Sequence, residues 1–153
     1  MGLLMGKYEK KLKSLGVILP NAPAPAANYV PFVKIDSLVY VSGQISLGPN
    51  GLIKGVLGKD MAVEQGKLAA RQCAINLLAQ VKVACDGDLD RLTQVIKLGG
   101  FVNSTPNFFE QPSIINGASD FLVEILGENG RHARTAVGSI LPLGVAVEID
   151  GIF

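Results

Sequence analysis

The chain has no tryptophan, one histidine and two cysteines in 153 residues. With so few such donors no zinc set can be assembled, so no metal is expected. Charged residues are also scarce, at 18% against the usual quarter or so. A net charge of +1 removes the electrostatic case for a nucleic-acid partner. No apolar run approaches the roughly 20 residues of a membrane span. The N-terminus M-G-L-L-M-G-K-Y-E-K-K places its lysines after its few apolar residues, the wrong order for a signal peptide. Gly6 stands where a myristoylation signal needs Ser or Thr. These absences point to a cytoplasmic protein without a membrane partner.

What is present is apolar surface. Hydrophobic residues make up 48% of the chain, which is high for one domain that must also face water, and an oligomer with buried interfaces accounts for it. Cys73 and Cys85 fall on, or at the end of, an apolar helical stretch and read as buried structural thiols in a reducing compartment.

Tyr8, Leu12 and Leu15 recur at helical spacing among lysines, which predicts a short amphipathic helix over 7–15. The prolines of 20–28 exclude regular structure and predict an extended lead-in. Tyr29–Ile35 and Leu38–Val41 read as strands joined at Asp36-Ser37, followed by Ser42-Gly43-Gln44. The glycine-rich loop 48–58 fails as a phosphate loop, because Asp60 follows Gly58-Lys59 where Ser or Thr is needed. Ala70, Cys73, Ala74, Leu77, Val81 and Ala84 mark one face of a helix over 61–85. The run Asp86-Gly87-Asp88-Leu89-Asp90 begins like a calcium loop. Arg91 and Lys97 occupy its required glycine and glutamate, so it reads as a helix-ending turn. Residues 92–102 predict a strand whose Gly99-Gly100 allows a bulge or a close approach. Pro112 opens a second helix and Gly127 ends it.

The closing stretch from Gly130 to Phe153 holds two β-rich runs around Pro142-Leu143-Gly144, which predicts a hairpin. Alternation then assigns Val137, Val145, Val147 and Ile149 to the core, and Arg134, Ala136, Glu148 and Asp150 to the other face. Arg134 beside a carboxylate reads in two ways: a cross-strand ion pair on a solvated surface, or a site for a small anion. Asp150 competes with Glu148 as its partner in that register. His132, the sole histidine, is expected in an exposed loop. The predicted order is β-β-α-β-α-β-β, an α+β fold with two helices on one face of a mixed sheet.

Several segments together carry a resemblance. P-N-A-P-A-P-A-A-N-Y, V-S-G-Q-I, A-A-R-Q-C-A-I-N-L-L, and above all A-R-T-A-V…L-P…V-A-V-E-I, are similar to the RidA/YjgF family of reactive intermediate deaminases. Its members are also labelled endoribonuclease L-PSP or translation inhibitor. The similarity looks closest to a longer branch of the family. It spans 20–153 as a single domain and leaves 1–19 as an N-terminal extension. The resemblance implies a chorismate-mutase-like fold and a homotrimer with clefts between subunits. It further implies cofactor-free hydrolysis of enamine or imine acids of the 2-aminoacrylate type to 2-oxo acids and ammonia. By position, Arg134 matches the arginine that binds the substrate carboxylate, and Glu148 the glutamate that positions water or moves a proton. Tyr29, Ser42, Gly43 and Asn116 match residues lining the cleft. Ala136 stands where many relatives carry cysteine, and its backbone carbonyl is left as a candidate water contact. His132 replaces a common proline. A carboxylate binder of the same fold, without catalysis, and a ribonuclease are the alternatives.

Overall fold

The computed structural model describes residues 4–22 and 27–153. The centre of the expected proline-rich lead-in lies outside the described residues. Helix α1 (Lys7–Ser14) comes first, then strands β1 (Phe32–Ile35) and β2 (Leu38–Ile45). A two-stranded ribbon, β3 (Leu47–Gly48) with β4 (Gly51–Leu52), occupies part of the glycine-rich loop. Helix α2 (Val63–Ala84), strand β5 (Lys97–Asn103), helix α3 (Gln111–Leu126), strand β6 (Ala133–Ser139) and strand β7 (Val147–Ile152) complete the chain. Among the described residues no helix is long and apolar enough to cross a membrane.

The helices form where the apolar spacing predicts them. The stripe Ala70, Cys73, Ala74, Leu77, Val81 and Ala84 is buried. It packs with Ile114, Ile115, Ala118, Leu122 and Ile125 of α3 over one side of the sheet, in one core with Val41, Leu98, Val102, Val147 and Ile149. Both cysteines are reduced and buried. Tyr8 and Leu12 of α1 join the same core. The start of α1 is capped from a distance: Lys7 and Tyr8 donate their backbone N–H groups to the Asp90 carboxylate at 2.8 and 3.1 Å. Gly6, which precedes the helix, has no side chain with which to cap it, and a remote carboxylate at a helix N-terminus serves instead. The acidic turn after α2 thus anchors the N-terminal helix, a role its own spacing does not reveal.

The five-stranded sheet runs β1-β2-β7-β5-β6. Strand β6 pairs with β5 in parallel, and β7 pairs with β5 and β2 antiparallel. The expected closing hairpin therefore does not form, because β5 lies between its two arms. Parallel neighbours need a crossover, and α3 supplies it between β5 and β6. Residues 140–146 then carry the chain across the end of β5, with the Pro142–Gly144 turn inside that crossing. Val147 and Ile149 are fully buried, which suits β7 to the middle of the sheet. The small and polar run of β6 suits an edge.

Losing the hairpin changes which residues share a face. Residues directly opposite one another in a ladder lie on the same side. Arg134 is opposite buried Leu98 and so lies on the helix side. Glu148 and Val137 are both opposite Phe101, and Asp150 and Thr135 are both opposite Gly99, on the side away from the helices. The expectation that Arg134 and Ala136 share a face with Glu148 and Asp150 is overturned. Val137, expected in the core, is exposed. Alternation of side chains holds within a strand, and an irregular crossing resets it.

Candidate active site

The candidate residues gather into two groups at different places in the chain. The first is built on β2 and β7. Between Val41↔Gly151 and Gln44↔Ile149 the register shifts, so that Ser42 and Gly43 together face the single residue Asp150. This is a β-bulge, and it breaks the regular pairing where a side chain must be re-aimed. The buried Gln44 side chain holds it, donating through Nε2 to the Ser42 carbonyl at 3.0 Å. Ser42 in turn donates its hydroxyl to the Val30 carbonyl at 2.7 Å and its backbone N–H to the Pro31 carbonyl at 2.9 Å. Those bonds dock the segment carrying the exposed ring of Tyr29 against the bulge.

A glycine lies beside each carboxylate of β7. A Cβ on Gly43 would collide with Glu148 Oε1, and one on Gly99 with Asp150 Oδ1. Each carboxylate therefore lies over bare backbone of a neighbouring strand. Partial burial pushes the Glu148 carboxyl above its ordinary value, and the nearby Asp150 charge pushes it further the same way. A cavity of about 370 Å³ on this side is lined by Tyr40, Lys97, Gly99, Phe101, Thr135 and Asp150.

The second group is built on β6 and α3. Arg134 Nη1–H donates to Ser119 Oγ at 3.0 Å, and Nη2–H donates to the Pro112 carbonyl at 3.2 Å. Pro112, Asn116 and Ser119 are spaced four and three apart, so they lie on one face of α3. Arg134 bonds to Ser119 and to the Pro112 carbonyl, and Asn116, between them in sequence, is exposed. Ala136, two residues along β6, packs partly against the core. Arg134 thus meets neither Glu148 nor Asp150 within the chain. The cross-strand ion pair and the Arg134–Asp150 neutralisation are both ruled out here. The helices also do not leave the Arg134 face uncovered, because α3 covers it.

His132 differs from its expected exposed loop. It is half-buried, with Nδ1 2.6 Å from the Gly130 carbonyl and Nε2 2.9 Å from Ser119 Oγ. Burial lowers its pKa, the Gly130 hydrogen bond opposes that, and the Arg134 charge lowers it further. Ser119 is not singled out by the sequence, and Gln44 appears there only as part of the V-S-G-Q-I run, without a role. A serine and a glutamine signal nothing by spacing, and their roles depend on which strand each faces.

The two groups do not meet in one copy. Arg134 is on the edge strand, three strand spacings from the Ser42–Gly43 bulge, or about 14 Å, and on the opposite side of the sheet from Glu148. Among the described residues no three His, Cys, Asp or Glu side chains come together as a metal-ligand set.

An α+β chain with a mixed sheet and its helices on one side is an architecture shared by a known class of proteins. The sequence pattern described as "YjgF/chorismate mutase-like, putative endoribonuclease" matches residues 9–148. Protein TCP17 of Trypanosoma cruzi is 46% identical over 150 residues, covering 96% of this chain and 93% of that protein. The crystal structure of protein Atu1372 from Agrobacterium tumefaciens is 50% identical with a TM-score of 0.88, covering 95% of this chain and 90% of that one. RidA from the Antarctic bacterium Psychrobacter is 27% identical with a TM-score of 0.57, covering 87% of this chain and 93% of that one. The chain belongs to the YjgF family, also known by the RidA and endoribonuclease L-PSP labels, and has its chorismate-mutase-like fold.

Proposed function

We propose that this protein hydrolyses small enamine or imine acids of the 2-aminoacrylate type, without a cofactor, at clefts between the subunits of a cytoplasmic homotrimer. The observation that carries the reading is the division of the site. Arg134 and Asn116 lie at one edge of the chain, whereas Glu148 lies on the sheet's other side next to Gly43, with Ser42 tying the Tyr29 segment to the same bulge. A cleft between copies reunites them. Exposed Val33, Ile35, Tyr40 and Val137 on the uncovered face supply apolar surface for such a contact. The RidA label of the Psychrobacter relative agrees with the family resemblance from which the substrate class is drawn.

The chemistry asks little of the protein. The enamine tautomerises to an imine, water adds to the C=N carbon, and the C–N bond of the carbinolamine breaks as a proton reaches nitrogen. The products are the 2-oxo acid and ammonia. Arg134 grips the substrate carboxylate with its planar fork, which lysine would not reproduce. Glu148, whose carboxyl binds its proton more tightly than usual, serves to pass a proton and hold water. The Gly43 bulge brings backbone close to the reacting carbon, and positioning supplies most of the acceleration.

The test couples a pyridoxal-phosphate serine dehydratase, which releases 2-aminoacrylate, to pyruvate detection with and without this protein. The expected result is faster pyruvate release, abolished by Arg134→Ala. Unaccelerated release with the intact assembly would remove the deaminase reading. Binding of pyruvate without acceleration would favour the carboxylate-binding alternative instead. Cleavage of single-stranded RNA by the same preparation would favour the ribonuclease.

A further inference from the structure

The hydrogen bonds around Arg134 continue past the guanidinium. The Gly130 carbonyl can only accept, so the proton on the His132 ring sits on Nδ1. The neutral ring then offers the lone pair of Nε2. Ser119 Oγ–H donates to it at 2.9 Å, and the same oxygen accepts from Arg134 Nη1 at 3.0 Å. Every donor and acceptor in this line points one way, from the guanidinium through the hydroxyl and the ring to the backbone. The line ties together β6, α3 and the 3-10 turn Gly127–Gly130.

We propose that Ser119 and His132 are positioning residues for Arg134, holding its guanidinium in one orientation for a ligand carboxylate. The inference rests on the reading of Arg134 as the carboxylate clamp. An arginine side chain otherwise loses considerable rotamer freedom on binding. Here two of its five N–H groups are already committed, to Ser119 and to Pro112, and three remain for the ligand. The imidazole acts through the serine: its lone pair takes the hydroxyl proton and so turns the oxygen's own lone pair towards Arg134. Burial and the Arg134 charge both favour the neutral ring that this arrangement needs.

The chain has one histidine, so nitrogen NMR of imidazole reports His132 without assignment. The expected spectrum of the wild-type protein above neutral pH is a neutral ring protonated at Nδ1. A ring protonated at Nε2, or a cationic ring, would overturn the proposal. The second measurement is pyruvate affinity, followed by titration calorimetry. Ser119→Ala and His132→Leu should weaken binding by roughly fivefold each, the worth of one hydrogen bond. Ser119→Thr and His132→Gln, which keep an acceptor and donor in place, should restore most of it. In the hydrolysis assay the same loss should fall on KM, with kcat changed by less than about twofold. Unchanged pyruvate affinity in folded Ser119→Ala and His132→Leu would sink the proposal. Wild-type protein that binds pyruvate but hydrolyses nothing would remove the deaminase reading and leave the positioning test standing. Absence of both activities would remove the Arg134 reading, and this inference with it.

Discussion

Glu148 and Asp150 stand two residues apart on the uncovered side of β7, each over a glycine of the next strand. The raised affinity of Glu148 for its proton has a consequence for stability. In the folded chain the carboxyl binds its proton more tightly than in the unfolded chain. Its contribution is therefore fully present below the unfolded pKa and is lost as pH rises through the folded one. Glu148→Gln removes that loss. The variant should melt at a higher temperature than wild type at about pH 8 and no higher at about pH 4, as read by thermal unfolding at both pH values. Its hydrolytic rate should fall by roughly a hundredfold, the scale of a lost acid–base group. A variant that melts below wild type at the higher pH would contradict the burial argument.

At the scale of elements, the N-terminal helix shows how a short segment is held by a distant one. Its eight residues are too few for a stable helix alone. It persists because Tyr8 and Leu12 enter the core and Asp90 caps its first turn. Asp90→Ala should cost about 1 kcal/mol, the usual worth of such a cap, and lower the melting temperature by about 2–4 °C. Hydrogen exchange should quicken in residues 7–14 before any other element. Equal exchange in the variant and wild type would show that apolar packing alone holds the helix. The α2, α3 and β7 elements were legible for a simple reason: their apolar stripes are long and regular. The pairing of β6 was not, because a Pro-Gly turn between two β-rich runs looks the same whether the chain doubles back or steps over a neighbour.

For the whole molecule, the uncovered side of the sheet carries the assembly argument. Val137 is exposed there, in the same row as Phe101 and Glu148. Val137→Arg should convert the proposed trimer to monomers in light scattering and abolish the proposed hydrolysis, while circular dichroism stays native. A variant that remains trimeric would place the subunit contact elsewhere. Loss of assembly with full activity would show that one copy suffices, against the divided site.

The family, the two covering helices, the buried cysteines and the candidacy of Arg134 and Glu148 were all determined by the sequence alone. Each rests on local spacing or on a short run of residue types, which the chain carries without reference to its folding. The closing stretch promised an arginine facing a carboxylate across a hairpin. Only the tertiary structure decided otherwise, by inserting β5 between the arms and sending Arg134 to Ser119 and Pro112 on the helix side. Partners across a sheet are chosen by strand order, and strand order follows from how the whole core closes. No count of residues along one segment contains that information.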